Sequence, residues 1–218
     1  MPTYPTHAPV TMMHWGTHAE LKQADEVVFS PASMFITLGD HAGTHVDAPA
    51  HFDADPEATT VDAMPLELFY TSAICLDLSH LPLKSDIVVE HLQEAEIASG
   101  ERIAKGDTVL LYTGFNDRVP NSSPGFFTDF SGLVRESAMW LGEKGIVSFG
   151  VEAISPGRPG RNNYLVHQVC RDMGFTHMEG LVNLDKLVGK GRFRFIGFPL
   201  KIRGGTGSPI RAVSVLDE

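Results

Sequence analysis

Short apolar runs bounded by Gly, Asp or Pro recur along most of the chain. Such runs are typical of buried strands, because a strand covered on both faces is apolar at successive positions. Residues 1–30 lack this pattern, are rich in Pro, His and Met, and are predicted to be mostly loop. The pattern predicts strands at 34–38, 72–78, 108–112, 146–151, 193–202 and 210–216.

Three other segments carry apolar residues at helical spacing, at 86–99, 131–144 and 163–173. Asp86 is the predicted N-cap of the first helix, and Gly100 is its predicted C-terminal stop. Strands therefore alternate with helices, which favours an α/β fold with a mixed β-sheet and flanking helices. The length of 218 residues suits one domain, 1–218.

The charge balance excludes one class of partner. The chain has 17 Lys and Arg against 27 Asp and Glu, a formal net charge of −10, which argues against a nucleic-acid partner, because binding one requires basic surface. No apolar run approaches the roughly 18 residues that a membrane span needs, so no membrane partner is expected. The N-terminus has no secretory signal pattern. Cys75 and Cys170 form no Cys-x-x-Cys pair and are expected to be buried free thiols in a cytoplasmic protein.

Ten histidines are the more informative count, because several of them cluster. His41, His45, Asp47 and His51 all occupy odd positions within 41–53. In an extended chain, odd positions share one face, so we expect these four side chains to point the same way. The even positions between them are mostly apolar and suited to packing inward.

Gly43 and Pro49 interrupt this segment and disfavour a long helix there. Two or three imidazoles with a carboxylate suit Zn²⁺, Mn²⁺ or a similar ion. Because no thiolate is present, the pattern indicates a catalytic metal site rather than a structural one. The alternative is a hydrogen-bonded histidine network at a strand end.

The segment HAGTHVDAPAHF resembles the His-x-Gly-Thr-His-x-Asp-x-Pro-x-His signature of the metal-dependent cyclase family, which includes bacterial kynurenine formamidase and isatin hydrolase. EGLVNLDKL and GFPLKIRGGTGSPIRAV, further along, also resemble segments of that family, so the similarity extends over most of the chain. The resemblance implies a cyclase-like fold of the swivelling β/β/α type.

The resemblance also implies ligands outside the signature, because His167 and Glu179 fall in segments that match a His and a Glu of the formamidases. His41, His45 and Asp47 would then hold one ion. Asp47, His167 and Glu179 would hold a second ion, and Glu179 is placed to bridge the two. Isatin hydrolase resembles a one-metal variant, so the presence of Glu179 favours two divalent ions per subunit, Zn²⁺ or Mn²⁺.

His51, the last residue of the signature, is predicted to be the catalytic acid and base rather than a ligand. The reaction implied is hydrolysis of an aryl formamide, such as N-formylkynurenine, by a metal-activated water. This is arylformamidase-like hydrolysis of a C–N bond that is not a peptide bond. Two alternatives stay open: an isatin hydrolase-like enzyme that opens a cyclic amide or imide, and a metal-dependent small-molecule-binding protein without turnover.

The N-terminal region departs from the family pattern, because the opening Asp-Leu-Ser-type strand is missing or shortened. Tyr4 matches an aromatic substrate contact of the formamidases, and Trp15 lies in extra sequence before the signature, so either residue could contact substrate. His177 would share a strand face with Glu179 and is a reserve ligand. The resemblance implies a homodimer or a homotetramer.

Overall fold

The computed structural model describes residues 6–18, 22–24 and 26–216. The strands are β1 (Thr11–Gly16), β2 (Lys22–Ala24), β3 (Val27–Phe29), β4 (Ser33–Thr37), β5 (His45–Asp47), β6 (Tyr70–Asp77), β7 (Asp86–Ile87), β8 (Thr108–Tyr112), β9 (Gly132–Leu133), β10 (Ser148–Val151), β11 (Thr176–Glu179), β12 (Phe193–Ile196), β13 (Gly207–Pro209) and β14 (Val213–Val215). The helices are α1 (Pro49–Phe52), α2 (Val89–Ser99), α3 (Phe115–Arg118), α4 (Arg135–Glu143) and α5 (Arg161–Met173). Single 3₁₀ turns span Val61–Ala63, Leu66–Phe69, Pro124–Phe127 and Leu184–Leu187.

The main sheet has eight strands in the order β13-β5-β11-β10-β8-β6-β12-β14. The four central strands, β11, β10, β8 and β6, run parallel to one another. An antiparallel pair flanks them on each side, β5 with β13 and β12 with β14. The predicted α/β architecture with a mixed sheet is therefore confirmed.

Both faces of the sheet are buried, because alternate residues of each central strand enter different cores. Ile74 and Leu76 of β6 pack with residues of α2, α4 and α5 on one face. Ala73 and Cys75 pack on the other face, against the turn that contains Leu184. This double burial explains why the strands read as continuous apolar runs in the sequence.

The prediction that residues 1–30 are mostly loop is wrong, since β1, β2 and β3 lie in this region. β1 pairs with β4 in an antiparallel two-stranded sheet apart from the main one. Both strands are exposed, so no burial pattern marks β1 in the sequence. Six large apolar side chains of this hairpin face solvent: Met12, Met13, Trp15, Met34, Phe35 and Ile36.

The predicted helix ends also need correction. Asp86 is not a helix cap: it lies in β7, which pairs with β9, and helix α2 begins only at Val89. The same pairing takes Gly132 and Leu133 out of the predicted helix, which starts at Arg135. Gly100 does end α2, with the positive φ of 75° that favours glycine.

The last two predicted strands are shorter than expected. The predicted strand at 193–202 ends at Ile196, and the predicted strand at 210–216 keeps only Val213–Val215. A separate strand, β13, lies before β14 at Gly207–Pro209 and pairs with β5, whereas β14 pairs with β12. Among the helices formed by residues 6–18, 22–24 and 26–216, none has the length and apolar character needed to cross a membrane.

Candidate metal centre

The His-Asp segment is extended only in its middle. Gly43 turns the chain at a φ of 70°, β5 carries His45 and Asp47, and α1 then begins at Pro49. The expectation that one extended face carries all four polar side chains is therefore wrong in detail. His51 reaches the cluster because the chain turns into α1 after β5, which places its Nε2 3.7 Å from Asp47 Oδ2. The buried apolar positions are confirmed for Ala42, Val46 and Ala48.

Strand pairing brings Glu179 to this segment. β11 runs antiparallel to β5 with Glu179 opposite His45, and the Nε2 of His45 lies 3.4 Å from Glu179 Oε2. Gly180 follows at a φ of 66°, and a Cβ there would lie 2.9 Å from the backbone oxygen of Gly43. Only glycine therefore allows this close approach of the two strand ends.

Helix α5 and strand β11 supply two more histidines. His167 points from α5 toward the sheet, with Nε2 3.6 Å from Asp47 Oδ2. His177 lies on β11 two residues before Glu179, so both side chains share one face. Its Nε2 is 3.3 Å from both Asp47 Oδ2 and Glu179 Oε1.

The two oxygens of each carboxylate face different histidines. Asp47 Oδ1 lies 2.8 Å from His41 Nδ1 and 3.3 Å from His45 Nε2, whereas Oδ2 faces His167 and His177. The two oxygens of Glu179 also contact different histidines, since Oε2 lies near His45 and Oε1 lies near His177. Each carboxylate thus lies between two groups of imidazoles.

Hydrogen bonds at the far side of three rings fix which nitrogen faces the carboxylates. The Nδ1–H of His45 donates to the Gly43 carbonyl at 2.9 Å, and that of His167 donates to the Asn163 carbonyl at 2.8 Å. Because a carbonyl only accepts, the Nε2 of each neutral ring carries the lone pair. Backbone acceptors of this kind orient metal-binding histidines.

His41 is oriented through its other nitrogen. The Thr206 hydroxyl donates to Asp40 Oδ2 at 2.8 Å, so its oxygen accepts the Nε2–H of His41 at 3.0 Å. The Nδ1 of His41 is consequently the nitrogen that faces Asp47. Thr206 and Asp40 could not be assigned this role from the sequence, because they lie at opposite ends of the chain.

The donor set fits a divalent metal ion. His177 is fully buried, yet its Nε2 has no hydrogen-bond partner within the part of the chain that the structure describes. In a tetrahedral site each ligand atom lies about 2.1 Å from the metal ion, and two such ligand atoms are then about 3.4 Å from each other. The separations around Nε2 of His45 and His177, 3.3 to 3.4 Å, match that spacing. Among the described residues, two groups could hold a metal ion: Asp47 with His167, His177 and Glu179, and Asp47 with His41 and His51.

Buried charges in the cluster depend strongly on one another. Burial would raise the pKa of Asp47, but the charge on His177 and contacts with neighbouring imidazoles hold it well below its ordinary value. Burial would lower the pKa of His45, but Asp47 and Glu179 raise it to about 9. The pKa of His177 is likewise raised well above its ordinary value, mainly by Asp47, against the effect of burial. A metal ion therefore has to displace protons from this cluster.

His51 differs from the other histidines. It keeps 35 % of its side chain exposed, whereas Asp47 beside it keeps 1 %. Burial lowers the pKa of His51, and the charges of His41 and His167 add to this against the effect of Asp47, so the pKa falls to about 4. The ring is consequently neutral at pH 7 in the metal-free protein.

Two adjoining cavities, of about 230 and 200 Å³, open onto the cluster. Their walls share His7, His41, His45, Ile154 and Glu179. Phe126, Ile154 and Val182 give the first cavity an apolar side. The second cavity reaches His51 and His167. A small organic molecule with an apolar portion can therefore lie beside the candidate ligands.

The structure brings together His41, His45, Asp47, His51, His167 and Glu179, all the residues that the sequence predicts for the metal and for catalysis. Trp15 is not with them: it is 77 % exposed on β1, packs beside Phe35, and does not line either cavity. Tyr4 lies outside the described residues. His177, only a reserve ligand in the sequence, proves as close to both carboxylates as His45. Its two-residue spacing from Glu179 is the signal that made it a reserve ligand in the sequence analysis.

Comparisons with known proteins identify the relatives of this chain. The family model described as "Putative cyclase" matches residues 1–158. A kynurenine formamidase from Salinibacter ruber is 31 % identical over 179 residues, which cover 82 % of this chain and 77 % of that protein. An isatin hydrolase from Roseibium aggregatum is 30 % identical over 196 residues, covering 84 % and 74 %.

Solved structures extend the similarity to the fold. Isatin hydrolase A from Ralstonia solanacearum superposes with a TM-score of 0.79 at 27 % identity, covering 98 % of this chain and 84 % of that one. Isatin hydrolase A from Labrenzia aggregata gives a TM-score of 0.81 at 24 % identity, covering 99 % and 86 %. The resemblance inferred from the signature is confirmed, and the chain belongs to the cyclase family.

Proposed function

We propose that this protein is a metal-dependent amide hydrolase that acts on an aryl formamide such as N-formylkynurenine, within a single domain spanning 1–218. The observation that carries the proposal is the position of Asp47 and Glu179 between imidazole nitrogens at metal-ligand spacing, next to a cavity with an apolar wall. Kinship with kynurenine formamidases at 31 % identity supports the substrate class.

Two divalent ions, Zn²⁺ or Mn²⁺, would be held here, with Asp47 and Glu179 as the carboxylate ligands. His41 and His45 would be ligands of the ion near Asp47 Oδ1, and His167 would be a ligand of the ion near Asp47 Oδ2. Imidazole and carboxylate donors without a thiolate suit either metal. Support for two ions comes from the way each carboxylate divides its two oxygens between the two histidine groups.

Bound metal would polarise the scissile carbonyl and lower the pKa of a water molecule. His51 takes the proton from the attacking water, for which its neutral ring and partial exposure suit it. The same ring then returns the proton to the leaving amine nitrogen, so the products are a carboxylate and an amine. Phe126 and Ile154 exclude water from the aryl portion of the substrate.

Two other functions are tested by the same experiment. Cyclic amide or imide hydrolysis is favoured by the kinship with isatin hydrolase at 30 % identity. Metal-dependent binding of a small molecule without turnover would also use this cavity. The position of His51, beside Asp47 and open to the cavity, argues against the binding function.

The deciding experiment combines metal analysis with a substrate panel. The purified protein is loaded with Zn²⁺ or Mn²⁺, its metal content is measured, and N-formylkynurenine, isatin and a cyclic imide are assayed with and without chelator. We expect hydrolysis of N-formylkynurenine that the chelator abolishes. Hydrolysis of isatin alone would replace the formamide assignment, and no turnover of any substrate by metal-replete protein would favour the binding function.

The cellular context is part of the same proposal. The protein forms a homodimer or a homotetramer, supported by the six apolar side chains that the β1–β4 hairpin exposes. A two-stranded sheet is marginal in water by itself, so a second copy that covers it would stabilise it. The free, buried Cys75 and Cys170 suit a cytoplasmic protein.

A further inference from the structure

The Nδ1 of His177 contacts a side chain, whereas the Nδ1 of His45 and of His167 contacts a backbone carbonyl. His45 and His167 each donate Nδ1–H to a carbonyl oxygen at 2.8 to 2.9 Å. The Nδ1 of His177 instead contacts the sulphur of Cys170 at 3.7 Å. The Nδ1 of His177 therefore faces the Cys170 thiol, where the Nδ1 of the other two rings faces a backbone carbonyl.

Two phenylalanine rings stack against the ring of His177. Phe149 stacks on it with centroids 5.4 Å apart and an interplanar angle of 22°, and Phe52 stacks at 6.1 Å and 24°. His177 and Cys170 are both 0 % exposed, so bulk solvent does not reach either side chain. The polar groups around the ring include Cys170 at Nδ1, the two carboxylates near Nε2, and the His167 imidazole, whose centroid lies 4.7 Å away.

Cys170 reaches this position through the helix that also supplies His167. The two residues are three apart on α5 and therefore lie on one face, turned toward the sheet. One turn of α5 thus supplies His167, a ligand candidate, and Cys170, which contacts the ligand candidate His177. Cys170 on α5 contacts His177 on β11, so a substitution at position 170 changes the surroundings of the His177 ring.

We propose that Cys170 is a positioning residue for metal binding: its sulphur accepts the Nδ1 proton of His177 and so presents the Nε2 lone pair of His177 to the ion shared by Asp47 and Glu179. This inference rests on the proposed metal site and adds His177 to its ligands. A neutral imidazole carries one N–H, and an acceptor at Nδ1 keeps that proton away from the metal-facing nitrogen. Asp47 Oδ2 and Glu179 Oε1, each 3.3 Å from Nε2, together with His167, would supply the rest of the ligand set.

The variants Cys170→Val and Cys170→Ser separate this role from simple core packing. Valine fills the space but removes the acceptor, whereas serine keeps an acceptor in a smaller side chain. We expect Cys170→Val to raise the metal dissociation constant about tenfold, measured by chelator competition, and Cys170→Ser to retain most of the affinity. Packing alone would reverse this order, with valine close to the wild type.

Cys75 offers the matched control. It is buried on the opposite face of the sheet, where its sulphur contacts the Leu184 carbonyl at 3.7 Å. Cys75→Val and Cys75→Ser should leave the metal dissociation constant unchanged. Thermal unfolding of each metal-free variant reports any general loss of stability separately from metal affinity.

A measurement on the unchanged protein decides the tautomer. In Zn²⁺-loaded protein labelled with ¹⁵N-histidine, we expect His177 to show a protonated Nδ1 and a metal-bound, unprotonated Nε2. A protonated Nε2 on His177 would overturn the proposal, as would unchanged metal affinity in folded Cys170→Val. Formamide hydrolysis is assayed separately, so a protein that binds metal as described but fails to hydrolyse the panel disproves the proposed function alone.

Discussion

Glu179 lies directly opposite His45 across the antiparallel strands β5 and β11, with Oε2 of the carboxylate 3.4 Å from Nε2 of the imidazole. The pairing joins a signature near the start of the chain to a strand near its end. It makes Glu179 the second carboxylate of the centre, because the other oxygen of Glu179 faces His177 at 3.3 Å. Loss of this side chain should therefore affect both halves of the site.

Removing the Glu179 carboxylate should lower the metal content. In Glu179→Ala, we expect elemental analysis to find fewer ions per subunit than in the wild type, and hydrolysis to be lost. Glu67→Ala, at an exposed glutamate away from the cluster, is the control and should keep full metal content. Unchanged metal stoichiometry in Glu179→Ala would rule out its role as a ligand.

Removing the His51 imidazole should separate catalysis from metal binding. His51→Ala should keep a metal content close to that of the wild type while turnover falls about 10²- to 10⁴-fold, the usual contribution of a general acid and base. His80→Ala, at an exposed histidine, should retain activity. A fully active His51→Ala protein would overturn the acid and base role.

The pH dependence of metal binding should follow His45. Its pKa in the metal-free protein is raised from 6.5 to about 9, so a metal ion competes with the proton on Nε2 throughout this range. The apparent metal affinity should therefore rise with pH up to about 9 and then level off, by at most about tenfold per pH unit for this one proton. Chelator competition at several pH values measures this, and a flat profile would contradict it.

The same shift has the opposite effect on the stability of the metal-free fold. Because folding raises the pKa of His45, the stabilisation is complete below pH 6.5 and is lost as the pH rises through about 9. Thermal unfolding of metal-free protein should thus show a lower midpoint at about pH 9 than at about pH 6.5. Metal-loaded protein should not lose stability in this way, since metal replaces the proton.

The exposed hairpin should govern the oligomeric state. Replacing Trp15 and Phe35, whose rings lie 6.4 Å apart, by glutamate should shift the protein toward monomer in light scattering coupled to size exclusion. Ile97→Glu on α2, where the isoleucine is 72 % exposed, is the matched control and should not change the oligomer. An unchanged mass in the hairpin variant would place the subunit contact elsewhere.

Local signals explain which parts of the fold were predictable. The central strands read as apolar runs because both faces are covered, as for Thr108–Tyr112, predicted with its bounds correct. The hairpin strand β1 was missed, because its stability depends on pairing with β4 and not on an alternating burial pattern. Asp86 was assigned to a helix cap because nothing local shows that it pairs with β9.

The sequence by itself determined the chemistry of the site: three imidazoles and a carboxylate in one short segment, shaped by Gly43 and Pro49, with His167 and Glu179 indicated by family resemblance. Only the tertiary structure decided how these groups combine. Strand register places Glu179 opposite His45 and brings His177 level with both carboxylates, while α5 sets Cys170 behind that ring. Register and helix docking depend on contacts between residues far apart in the chain, and no local pattern of polar and apolar positions encodes them.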